Sequence, residues 1–301
     1  EAEFAFFPQG TSWTSTLGDG TDGLSWTSRY ATLAITAFKQ PFAMDGINEA
    51  GLSFGLLWFP EADYPRADGE KPHIASNDIG MWLLGTCATV DDVREALGHV
   101  AIEFITFAPL GRIPPIHIAF HDSRGSNLVV EWIDGEMHLH DNPIGVLTNS
   151  PRFSWHITNL DTYITLSPKN ASDRTLEGTV LSPTGQGSGM LGLPGDWTPP
   201  SRFVKMAALT SAVATPKSKD EALTLAYHLL NTVDIPYGAV RSAFGSDFDY
   251  TQWVVVKDLS GKRISYRTYN DLTPRMLDLS HLIEQGKKTT FPLSGAAPPT
   301  R

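Results

Sequence analysis

The sequence predicts an α+β fold, and three features of its layout carry that prediction. Runs of β-branched and aromatic residues with partial alternation occupy both ends of the chain, as half-buried strands require. A central block instead carries helix-start signals followed by apolar residues at helical spacing. Twenty-six Gly and 21 Pro are spread over many short connections, which favours a strand-rich chain. Strands before and after a helical block share one core with it, so residues 1–301 read as a single domain.

Taken in order, Glu1-Ala2-Glu3-Phe4 runs straight into Ala5-Phe6-Phe7-Pro8, a strand already under way. Leu24 to Phe38 reads as two short strands or one bent strand. Met44 to Gly51 reads as a turn-rich link, because Asp45-Gly46 and Asn48 tolerate positive φ. Leu52 to Phe59 is nearly continuous in apolar residues, as a strand buried on both faces should be. Asp78 to Leu84 reads as a buried helix, and Thr89-Val90-Asp91-Asp92 is a capping-box pattern opening a second, with Cys87 between them. Residues 117–121, 127–132 and 137–140 read as successive antiparallel strands, turned at Asp122 to Gly125 and at Asp134-Gly135. Gly145 to Thr148 reads as a buried strand that Asn149 ends. Helices are expected over Ser201 to Val213 and from a Ser218 cap through Leu230. Thr251 to Asp258 and Arg263 to Thr268 form a late hairpin, and residues 295–301 read as a loose tail.

Composition removes several classes of function. The chain carries 33 acidic and 23 basic residues, a net charge of −10, with no basic block. Nucleic-acid binding needs a basic footprint and is excluded. Its apolar runs fall well short of the roughly 18 residues of a membrane span. One cysteine rules out a disulfide scaffold and a Cys-rich zinc site. An acidic, soluble enzyme is what remains.

Candidate chemistry is sparse. His138-Leu139-His140 puts two imidazoles on one strand face, but no partner completes a metal signature, so neither a metal nor a cofactor is expected. Gly185 to Met190 lacks the Lys-Ser/Thr of a phosphate cradle and reads as a flexible loop near a pocket. No G-x-S-x-G elbow exists. Cys87 is the sole thiol, yet its neighbours Leu83, Leu84 and Val90 look like core, and a buried free Cys is an inert hydrophobe. Asn149 is either a turn residue before Ser150-Pro151 or an amide donor to a developing oxyanion. Arg202 opens a helix against the macrodipole, which fits a buried anionic partner or an ordinary surface site. Trp58, with Leu57 and Phe59 beside it, forms an aromatic pocket wall or plain core.

Longer stretches resolve these alternatives. Met44-Asp45-Gly46-Ile47-Asn48-Glu49-Ala50-Gly51-Leu52, Val146-Leu147-Thr148-Asn149-Ser150-Pro151 and Phe153 to Leu160 occur in fixed order. Gly192-Leu193-Pro194-Gly195-Asp196-Trp197, Ser201-Arg202-Phe203-Val204-Lys205, Asp249 to Trp253 and Tyr266 to Tyr269 follow. Together they resemble the choloylglycine hydrolase family of conjugated bile salt hydrolases and penicillin V acylases, within the N-terminal-nucleophile hydrolases. Trp58, where bile salt hydrolases tend to have Asn, and Phe6 to Gly10 look more like the Gram-negative penicillin V acylase branch.

The resemblance implies a four-layer αββα sandwich and hydrolysis of a linear amide by an N-terminal cysteine whose own α-amine serves as base. Asn149 matches the family's oxyanion donor, the backbone N–H of Trp58 its second donor, and Arg202 the residue that steadies the nucleophile's charge. Trp58, Phe59 and Leu57 are expected to contact the acyl group. Family members begin with Cys and soon supply an Arg and an Asp from a second strand, and this chain starts beyond that point. The expected missing strand pair spans on the order of 20–30 residues. Its first residues fit a processed end, a truncation or a secretion-vector remnant. The implied substrate is an apolar acyl amide of the penicillin V, acyl-homoserine lactone or bile salt type, with the 301 residues alone inactive. The alternative is a non-catalytic acyl or bile-acid binder that lost its nucleophile. A periplasmic or secreted homotetramer is the remaining expectation from the resemblance.

Overall fold

In the computed structural model, which describes residues 2–67, 69–241, 243 and 248–293, one short strand serves two cores. Along Ala2–Phe7 (β1), Phe4 and Phe6 enter one apolar cluster while Ala5 and Phe7 enter another. That is the period-two signature of a strand covered on both faces. The strands Thr32–Ala37 (β2), Gln40–Asn48 (β3), Leu52–Trp58 (β4), Ile116–Asp122 (β5), Asn127–Ile133 (β6) and Glu136–Asp141 (β7) follow. Late in the chain come Trp253–Asp258 (β8), Arg263–Thr268 (β9), Asp271–Asp278 (β10) and Thr289–Pro292 (β11). An eight-stranded antiparallel sheet runs β7-β6-β5-β4-β3-β2-β1-β11, and a separate three-stranded sheet runs β8-β9-β10. The main helices are Ile79–Thr86 (α1), Val90–Gly98 (α2), Phe153–Asn159 (α3), Pro199–Ala212 (α4), Lys219–Asn231 (α5) and Leu279–Gln285 (α6).

The chain forms two compact units, residues 1–143 with 252–301, and residues 144–251. No shift in composition marks either boundary, which is why the sequence reads as undivided. In the first unit, helices cover one face of the large sheet. Trp82, Leu83 and Leu84 of α1 and Val93 and Leu97 of α2 pack with Phe54, Phe120, Val130 and Trp132. The other face meets the small sheet through Phe4, Phe6, Leu33, Ile35 and Ile47 against Ile264, Tyr266 and Leu277. Lys257 ties the two sheets, its Nζ 2.5 Å from Asp45 Oδ1 and 3.1 Å from the Phe54 carbonyl.

The capping box at Thr89 and Asp92 forms as expected, and Asp122 adds a bond to the first helical N–H, that of Val90. Both expected late strands and the three strands from 116 to 141 are present. In the second unit Ser218 caps α5 through the Glu221 N–H, and α4 opens on proline, which already has helical φ.

Three expectations need correction. Met44 to Asn48 belongs to strand β3, with Asp45 opposite Gly55 and Gly46 opposite Phe54. Gly46 is there for space: an added Cβ would lie 2.9 Å from the Leu33 carbonyl oxygen and 3.0 Å from Leu84. The positive φ that this region needs falls instead on Gly51, at 88°. Residues 145–148 are irregular, not a strand. The strand ending at Trp58 loses its cover toward its end, where Trp58 is 37% exposed. Leu24 to Phe38 forms two strands, within Asp22–Thr27 and Thr32–Ala37, as one of the two readings has it; the pairing of the first with Ser12–Thr16, and β10, α3 and α6, were not foreseen. The tail expected at 295–301 lies outside the described residues. Among the described residues no helix is long and apolar enough to cross a membrane.

Candidate active site

The second unit brings two of the expected residues into contact. Ahead of α4, the Asp196 carboxylate accepts from the Thr198 hydroxyl at 2.5 Å, the Thr198 N–H at 2.9 Å and the Ser201 hydroxyl at 2.7 Å. These bonds, the Thr198 hydroxyl first, pull its pKa down to about 2. They fix the chain where it enters the helix, and Arg202 follows in the first turn. Its Nε donates to the Trp197 carbonyl at 3.0 Å and its Nη2 to Asn149 Oδ1 at 2.6 Å.

From its place in the sequence Arg202 fits either a buried anionic partner or an ordinary surface site. Among the described contacts its guanidinium meets neutral oxygens, and burial alone lowers its pKa. A half-buried cation at the positive end of a helix, held by neutral acceptors, favours an arriving negative charge.

Asn149 is held from its backbone as well. The His156 ring, fully buried on α3, places Nε2 2.9 Å from the Asn149 carbonyl oxygen. The preceding Thr148 hydroxyl donates to the Pro199 carbonyl at 3.1 Å, so the irregular loop is fastened to both α3 and α4. His156 had no role in the sequence reading. Its only signal was its place in the stretch following Asn149.

Trp58, Leu57 and Phe59 lie in the first unit. Trp58 is 37% exposed, with the Arg112 guanidinium 5.0 Å above its ring. Leu57 is half-buried and points to the opposite face from Trp58, because side chains alternate along a strand. Phe59 is wholly buried and stacks on His117 at 4.6 Å. It is core, where a pocket-wall role was expected; the apolar run hid the alternation.

Other candidates resolve simply. Burial raises the Cys87 pKa to about 11, and the residue is 2% exposed, the opposite of what an activated thiolate needs. His138 and His140 stack at 6.1 Å, and no metal-competent group of side chains occurs among the described residues. The 185–190 segment, expected to be a flexible loop, is stitched to residues 167–171. Asn170 accepts from the Gly187 N–H at 2.7 Å, and the Ser167 N–H donates to the Gly189 carbonyl at 2.9 Å.

The model of the linear amide C–N hydrolases, choloylglycine hydrolase family, matches residues 2–288. The chain belongs to that family. It is 34% identical over 258 residues to a bile salt hydrolase/transferase of Clostridium perfringens, covering 84% of this chain and 78% of that protein. A penicillin V acylase of Pectobacterium atrosepticum is 29% identical over 242 residues, 73% of this chain and 59% of the relative. A solved structure of a variant conjugated bile acid hydrolase from Clostridium perfringens matches with a TM-score of 0.85 at 28% identity, covering 99% of this chain and 91% of that one. A penicillin V acylase from Agrobacterium tumefaciens shares the fold, with a TM-score of 0.79 at 23% identity over 97% of this chain and 84% of its own. The family fold is the αββα sandwich of N-terminal-nucleophile hydrolases, as the resemblance implied.

Proposed function

We propose that this protein hydrolyses linear amides with an apolar acyl side, through an N-terminal cysteine that lies outside these 301 residues. Bile salts and penicillin V are candidates, as the family and its relatives suggest, and an acyl-homoserine lactone is a third apolar acyl amide of the same kind. The observation that carries the reading is the bond between Arg202 and Asn149. A guanidinium can only donate, so Asn149 must turn Oδ1 toward it, and the donor end of the amide, Nδ2, faces away. A fixed N–H donor of this kind suits an oxyanion that develops during attack on an amide carbonyl.

The chemistry then runs in two steps. The thiolate adds to the carbonyl carbon, and the negative charge that forms on oxygen is met by Asn149. The C–N bond breaks as the nitrogen gains a proton, the amine leaves, and water releases the acid from the thioester. The α-amine of an N-terminal cysteine has a pKa of about 7.7–8 and suits the base. Arg202 favours the anionic nucleophile.

The test is amine release from penicillin V, an acyl-homoserine lactone and a glycine-conjugated bile salt by the full-length protein. Iodoacetamide at the terminal cysteine should abolish turnover, while Cys87→Ala should leave it unchanged. Binding of all three without turnover would replace hydrolysis with a binding role.

A further inference from the structure

We infer that His156 is a positioning residue for Asn149, fixing the backbone from which its amide acts. The inference rests on the reading of Asn149 as an oxyanion donor. His156 lies on α3 with no solvent exposure, and its ring stacks on Phe203 at 4.6 Å with a tilt of 12°. Its Nε2 is 2.9 Å from the Asn149 carbonyl oxygen, which can only accept, so Nε2 carries a proton.

The neighbouring contact requires the same proton. Thr148 Oγ1 lies 3.5 Å from Nε2, and its own hydrogen goes to the Pro199 carbonyl at 3.1 Å. Toward His156 that hydroxyl can therefore only accept. One imidazole N–H thus faces two consecutive residues of the loop.

A phenylalanine would fill the same slab against Phe203 without the cost of burying a polar ring. What histidine adds is the N–H to Asn149. Asn149 is then held at both ends, its carbonyl oxygen by α3 and its Oδ1 by Arg202 on α4. With those oxygens fixed, the direction of Nδ2 is largely determined. Misplacing a reacting group by about 1 Å can cost about 100-fold in rate, so a lost anchor should appear in turnover.

The experiment compares His156→Phe, His156→Gln, Asn149→Ala and the His156→Phe/Asn149→Ala double variant in the full-length enzyme, with penicillin V as substrate. His156→Phe keeps the slab and loses the donor, and kcat should fall about 10- to 100-fold with KM little changed. His156→Gln restores an N–H at the same distance along the side chain and should recover most of that loss. The double variant should be no slower than Asn149→Ala, because positioning an absent amide has no value. If His156→Phe keeps wild-type kcat while Asn149→Ala is slow, His156 is only packing and the amidase reading stands. If Asn149→Ala is itself fast, the oxyanion reading fails and this inference fails with it. Should His156→Phe not fold, His156→Gln decides: a folded variant with unchanged KM and more than about a tenfold loss of kcat overturns the role.

Discussion

Two asparagines, one in each unit, hold their surroundings in opposite ways. Asn48 is wholly buried at the end of β3 and makes four bonds with one amide. Its Nδ2 donates to the Leu84 and Cys87 carbonyls, at 2.8 and 2.7 Å, and its Oδ1 accepts from the N–H groups of Ala50 and Leu52. It thereby satisfies the end of α1 and the turn into β4, where backbone groups would otherwise be orphaned. Asn149 is half-buried, and there the structure holds the asparagine, through Arg202 and His156. Asn48 binds the backbone of its own junction from both ends of its amide, while the bonds described at Asn149 are ones that Arg202 and His156 donate to it.

The largest effect is expected at the first of them. Asn48→Ala strands two carbonyls and two N–H groups in the interior, at about 1–3 kcal/mol for each group left unsatisfied. Relaxation and water entry reduce the sum, so a loss of about 3–5 kcal/mol in denaturant unfolding is expected. Asn48→Ala with a wild-type midpoint would break the distinction from the structural side.

Asn149→Ala comes next and should register in rate. Removing an oxyanion donor lowers kcat by about 10²–10³, or about 2.7–4 kcal/mol, with a modest change in KM. Its unfolding midpoint should move much less than that of Asn48→Ala. A full-length Asn149→Ala enzyme that keeps half its turnover would return Asn149 to the turn residues.

Much of the first unit was legible because its signals are local. Thr89 and Asp92 sit three residues apart and declare a helix start, and the strands between 116 and 141 alternate around short polar turns. Asn48 was misread because its donor contacts lie 36 and 39 residues away, so only the local Asp-Gly and Asn pattern was visible. Asn149 and Arg202 stand 53 residues apart, and motif resemblance singled out both where pattern alone left each ambiguous. Arg202 did give a physical signal, a cation placed against a helix dipole. Its partner proved to be an amide oxygen, which the sequence could not distinguish from a carboxylate at that range.

Gly46→Ala sharpens the same contrast by crowding the Asn48 region without touching its bonds. The new methyl meets the Leu33 carbonyl and the Leu84 side chain, and overpacking of this kind costs about 1–3 kcal/mol. The damage should appear in thermal stability, with kcat per folded molecule unchanged. Loss of turnover in a fully folded Gly46→Ala enzyme would mean that the junction of β3 with α1 is part of the catalytic apparatus.

The smallest effect at neutral pH is expected at Cys87, whose carbonyl Asn48 holds. Burial raises its thiol from an ordinary value of 9.0 to about 11. The folded state therefore keeps a proton that the unfolded chain releases sooner. This contribution to stability is fully present below about 9 and is lost as the pH rises through about 11. At about 1.4 kcal/mol per pH decade the loss approaches 3 kcal/mol at the alkaline end and vanishes at pH 7. Unfolding of wild type and Cys87→Ala, followed from pH 7 to 11, should give curves that converge as the wild type falls. Iodoacetamide should modify Cys87 slowly at pH 8 in the native protein and quickly once Asn48→Ala has loosened the end of α1. Rapid native modification at pH 8, with a flat pH profile, would show that Cys87 is an accessible thiol and that the Asn48 junction does not seal it.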